Sequence, residues 1–148
     1  MLEWASANLT WILSVAAEET NIVPMTQDLH PALHQLERCR EWLEPALEGG
    51  FFSWSDVQSL MLSGSLLLWE GRKSAILTED VTYPQHKAVQ VWLAGGDMDE
   101  IIAMTPGLEA AARMRGCDRV LIEGREGWQK ALAGLDYKPF SFTVVKEL

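Results

Sequence analysis

Apolar residues recur along this chain with two periods. Leu2, Ala5, Leu9, Ile12 and Ala16 fall at intervals of three and four, which predicts an amphipathic helix over residues 1–19 with Trp4 and Trp11 beside its seam. Ile22-Val23-Pro24-Met25 reads as a short edge strand, because proline cannot donate to a ladder. A helix starts near Asp28 with Pro31 in its first turn and carries Leu33, Leu36, Cys39, Trp42 and Leu43 on one face. Pro45 kinks or ends it, and Gly49-Gly50 stops what remains. Ser53 with Asp56 makes a capping box for a short helix to about Leu62, closed by Gly64.

The pattern then changes to strands. Ser65–Trp69 is a buried run, Glu70-Gly71-Arg72 a turn, and a second strand runs from Ala75 to near Tyr83. Ala88–Leu93 is a third strand, completing an antiparallel meander. Ala94-Gly95-Gly96-Asp97 is a turn in which Asp97 caps a helix through Ile101, Ile102, Leu108, Ala111, Ala112 and Met114, interrupted at Thr105-Pro106 and stopped by Gly116. Val120-Leu121-Ile122 is a strand, Trp128–Leu132 a short helix, and Phe140–Val145 a last strand. The order β-α-α-β-β-β-α-β-α-β predicts an α/β (α+β) fold. Its central sheet is mixed, an antiparallel meander followed by a β-α-β crossover, with helices on both faces. Residues 21–148 form that domain, and residues 1–20 a helical extension that either packs on it or docks on a partner protein.

Composition narrows the function. With 148 residues, 48% hydrophobic and 22% charged, the chain is long enough for a core and too apolar to be disordered. A net charge of −9 argues against free nucleic acid or an anionic membrane as partner, since both need clustered cations. No Lys or Arg precedes Arg38, so the apolar start does not read as a signal peptide, and no apolar run is long enough to span a membrane. Cys39 and Cys117 lack metal-ligand spacing and read as reduced core thiols of a cytoplasmic protein. His30 and His34 share a helix face, but two imidazoles without a third ligand make no metal site.

The run Glu109–Val120, a helix ending in Gly116 before a strand, and the run Leu132-Ala133-Gly134-Leu135-Asp136-Tyr137 together resemble the GNAT acyl-CoA N-acyltransferases, over about residues 21–148. Leu93-Ala94-Gly95-Gly96-Asp97, Gly116-Cys117 and Gly127-Trp128 are similar to small GNAT-like proteins of tailed phages and prophages. The resemblance implies an acetyl-CoA site, with a glycine loop whose N–H groups cradle the pyrophosphate at a helix N-terminus. That loop corresponds to Leu93, Ala94, Gly95 and Gly96, and Arg125 stands where the family often has Asn as a further contact. The loop is shorter than the family's, lacks its basic or amide residue, and carries Asp97 and Asp99 where phosphates would lie. The general-acid tyrosine position of the fourth helix holds Leu132, which has no proton to give. Glu79, Asp80 and His86 are the candidate general bases, against a plain reading as solvated turn residues.

Two functions follow as expectations. One is a GNAT-fold interaction or virion-associated protein with a degenerate acetyl-CoA site, its partner protein bound through Leu2, Leu9 and Ile12 with Trp4 and Trp11, or a homo-oligomer. The other is an active acyl-CoA-dependent N-acetyltransferase with an atypical site. An enzyme predicts an open cleft between two splayed central strands. An interaction protein predicts a filled one.

Overall fold

The computed structural model describes residues 30–124 and 127–148. The helix expected over residues 1–19, the strand at Ile22–Met25, the partner-binding residues Leu2, Trp4, Leu9, Trp11 and Ile12, and the candidate contact Arg125 lie outside the described residues.

Helix α1 (Pro31–Arg38) has proline in its first turn, and His30 caps it by accepting from the Ala32 N–H. Cys39 breaks the expected single helix, and α2 (Arg40–Leu43) continues into a 3-10 turn at Glu44–Ala46, where Pro45 ends α-helical bonding. Helix α3 (Trp54–Leu62) begins with the expected reciprocal capping box between Ser53 and Asp56. Leu36, Cys39, Leu43, Trp54 and Val57 bury their side chains together beneath one face of the sheet.

Four strands form that sheet in the order β1 (Leu67–Glu70), β2 (Ser74–Thr82), β3 (Lys87–Gly96), β4 (Arg119–Ile122). The first three make an antiparallel meander, and β3 pairs with β4 in parallel. The crossover is α4 (Met98–Met114), ended by Gly116 at a φ of +84°, which glycine adopts without steric cost. Pro106 is expected to interrupt this helix, yet α4 runs through it. Ile101, Thr105, Leu108 and Ala112 bury one stripe along its length, and that burial outweighs the one backbone bond a proline cannot make. A short helix α5 (Gly127–Leu132) and a 3-10 turn at Ala133–Leu135 follow.

The sheet carries a core on each face, as a mixed α+β fold requires. Ala75, Leu77 and Leu93 face α1–α3, while Ile76, Val89 and Val91 face α4 with Cys117 and Trp128. The parity of β3 changes between Val91 and Leu93. The cause is a bulge: Leu77 pairs with Leu93 and Thr78 with Val91, leaving Trp92 as the extra residue. Trp92 and Leu93 therefore both turn to the α1–α3 side.

Two further expectations need correction. Gly95 and Gly96 are not a turn but the last residues of β3, paired opposite Ala75 and Ser74. Phe140–Val145 forms no strand: it has no ladder partner among the described residues, and an extended segment becomes a strand only when its N–H and C=O groups are paired.

Candidate functional site

The β3–β4 ladder starts at Ala88↔Arg119 and stops at Val91↔Ile122, at the bulge. Beyond it β3 continues to Gly96 without β4 beside it. This is where a cleft between central strands would open. On the α4 side the space is packed with Ala94, Ile101, Leu108, Ile122, Trp128 and Tyr137, leaving a cavity of only about 10 Å³. A single water needs roughly that much, and a ligand about thirty times more. On the other side Phe52 meets the Trp92 ring edge-to-face, with centroids 4.9 Å apart.

The four residues expected to cradle a cofactor occupy the far end of β3. Leu93 is buried among the α1–α3 core, and Ala94 packs on the α4 side. Gly95 lies against the Trp42 backbone of α2, where a Cβ would overlap the carbonyl. Gly96, at a φ of +104°, passes close to the Lys73 carbonyl and Ser74. Both glycines are thus accounted for by backbone approach inside the fold. Asp97 donates its N–H to the Lys73 carbonyl at 3.0 Å and accepts the Glu100 N–H on Oδ1 at 2.9 Å. Asp99 and Glu100 add two more carboxylates to the first turn of α4. Glu100 accepts from the Arg72 N–H and, at 2.9 Å, from the Lys73 N–H. The positive end of the α4 dipole is therefore met by the chain's own acids.

The candidate bases lie at the other end of β3, about 20 Å from Gly95 at the rise of an extended strand. Asp80 accepts two bonds from Arg115, 2.7 Å from Nε and 3.0 Å from Nη2. That fork holds its carboxyl below the usual carboxylate range against an opposing push from burial. His86 Nδ1 is 2.8 Å from Asp118 Oδ2, and this contact holds the Asp118 carboxyl low. Lys87 Nζ donates to the Arg115 carbonyl at 2.7 Å, and the Asp118 N–H to the Lys87 carbonyl at 2.8 Å. Glu79 lies opposite Gln90, half-buried. Asp80 and His86 thus share one network that ties the β2–β3 turn to the α4–β4 turn. Arg115 and Asp118, which complete it, read in the sequence only as charges on a mixed face. Nothing local marks a pairing 35 residues apart.

Asp80→Asn should cost about 1–3 kcal/mol at neutral pH, since both members are less than a third exposed and the bond is charge-assisted. A carboxyl with a depressed folded-state pKa stabilises above its unfolded value and loses that contribution as pH falls through the folded one. The stability curves of wild type and Asp80→Asn, followed by urea denaturation, should therefore converge toward acid. A gap that persists at low pH would mean the pair is not the cause.

Neither thiol is a poised nucleophile: burial raises Cys117 and pushes Cys39 up to about 11. Tyr137 donates to Glu109 Oε1 at 2.8 Å, and burial with that contact raises its phenol above the ordinary tyrosine value. No group of three or more His, Cys, Asp or Glu able to hold a metal occurs among the described residues. No helix among them is long and apolar enough to cross a membrane.

A second, open groove of about 340 Å³ is lined by residues of α4, by Cys117, Arg119 and Val120, and by Asp136, Tyr137 and Lys138 at the start of the C-terminal segment.

These features define an α+β protein with a four-stranded mixed sheet, layered by helices on both faces. It is similar in structure to crystal structures of TTHA1254 from Thermus thermophilus, a point mutant at a TM-score of 0.53 and the wild type at 0.51. Each is 14% identical, with 76% of this chain and 92% of that chain covered. At that identity the likeness is one of fold. No family model matches the chain, and no curated protein does.

Proposed function

We propose that this chain is a GNAT-like protein of phage or prophage type, whose acetyl-CoA site is degenerate and which acts in the host cytoplasm or virion as a non-catalytic interaction protein. The observation that carries this reading is the first turn of α4. Asp97, Asp99 and Glu100 crowd the helix end where a pyrophosphate would need free N–H donors and positive potential. The filled space between β3 and β4 and the apolar Leu132 in place of a general acid support it.

The alternative, an acyl-CoA-dependent N-acetyltransferase, draws on one feature. Arg72 and Lys73 lie on the turn joined to the same helix end through Glu100, and both are exposed. Calorimetric titration of the purified protein with acetyl-CoA and with CoA at low ionic strength separates the two. The expected result is no heat at millimolar ligand. Saturable binding near micromolar would overturn the degenerate-site reading.

A further inference from the structure

The C-terminal segment has the composition of a strand and none of a strand's partners. Phe140, Phe142 and Val144 alternate with Ser141 and Thr143 in a run that follows Pro139 and ends Val144-Val145, as on a half-buried strand. Yet Phe140 is 86% exposed, Phe142 90%, Val144 82% and Val145 81%. Scattered apolar residues are ordinary on a surface, but these four within residues 140–145 form a patch that water disfavours.

The same chain presents the complementary defect. β4 is the last strand of the sheet, paired with β3 on one side only among the described residues. Val120, Leu121 and Ile122 are only half-buried on that edge, where Arg119 is the one charged residue of the strand and no proline interrupts it. Its own tail does not reach it. The tail leaves from Tyr137, which is anchored to α4 through Glu109 and lines the 340 Å³ groove together with Val120 of β4.

We propose that the groove beside β4 receives Phe140–Val145 of a second copy of this chain, so that two molecules exchange C-terminal strands about a two-fold axis. An edge and a strand carried by one chain are self-complementary, which is the condition for a closed, isologous dimer. Charge points to the same occupant. The chain is acidic at −9, while Phe140–Val145 carries no charge and is flanked by Lys138 and Lys146, so the segment approaches an acidic second copy without repulsion. The inference does not depend on whether a cofactor binds.

The test is sedimentation equilibrium of the full chain over a rising concentration series, with hydrogen exchange on the same samples. A dimer is expected, with amides 119–122 and 140–145 slowing together as it forms. Phe142→Lys, and separately Val144→Pro, which removes a ladder N–H, should each weaken self-association about tenfold or more. Phe51→Lys, at a residue 78% exposed in the loop before α3, should leave it unchanged. A chain that stays monomeric at every concentration overturns the proposal, including one whose 140–145 amides are protected by folding onto its own edge. So does a dimer that survives both tail variants, or one that Phe51→Lys disrupts equally.

Discussion

Gly95→Ala is expected to destabilise the protein by about 3 kcal/mol or more, a large share of the roughly 5–15 kcal/mol that holds a domain of this size together. An added methyl at Gly95 would overlap the Trp42 carbonyl and stand 2.7 Å from its carbon. The obstacle is backbone, so no rotamer change relieves it. Either α2 lifts from the sheet, opening the core around Leu43 and Leu93, or β3 withdraws from β2. Gly107→Ala is the matched control: it sits inside α4 with open space around it, and alanine there should stabilise by up to about 1 kcal/mol. Denaturant titration of both variants checks the claim. A Gly95→Ala protein as stable as wild type would mean that α2 does not rest on β3 as described.

The second large effect is expected at Trp54, where alanine should cost about 3–5 kcal/mol. The side chain is 7% exposed within the α1–α3 core, so its removal leaves a cavity among Leu36, Val57 and their neighbours. It also makes two polar contacts. Its indole N–H donates to Glu37 Oε1 at 2.8 Å, and the Arg40 guanidinium lies over its ring, 5.3 Å from the centroid. Glu37 is held below the usual carboxylate range first by that indole bond and then by Gln58 and Arg40, against the push of burial. Trp54→Phe keeps most of the volume and loses the donor, so it should cost about 1–2 kcal/mol. Thermal unfolding of the two variants separates volume from hydrogen bond. Equal losses in both would place the whole effect in the Glu37 contact.

The sequence carried the local parts of this fold plainly, because each rests on neighbours within one turn or one strand. Ser53 with Asp56 marked the start of α3, Asp97 the start of α4, and the apolar runs and turns between Ser65 and Leu93 the meander. The helix face of Leu36, Cys39 and Leu43 did become a core. The non-local parts were not legible. Gly95-Gly96 looks like a turn from composition, and only the arrival of Trp42 explains why glycine continues a strand there. Val91-Trp92-Leu93 looks like an uninterrupted buried strand, since a bulge whose two residues are both apolar leaves no mark in hydropathy. Phe140–Val145 reads as a strand because alternation reports the readiness to pair, and pairing needs a second edge. For the site, Asp80 and His86 were visible as titratable residues near a turn, but their engagement with Arg115 and Asp118 depends on how α4 returns to the sheet.

The bulge at Trp92 gives β3 two phases. Before it, odd-numbered residues look toward α4; after it, odd-numbered residues look toward α2. The glycine at position 95 is therefore meaningful only in the second phase. Were the bulge straightened with Trp92 kept in the ladder, every later residue of the strand would change sides, and Gly95 would leave Trp42 to Ala94, which bears a side chain. A single inserted residue thus acts as a frameshift in space: it leaves the chain's alternation unbroken to the eye and reassigns which layer each letter addresses.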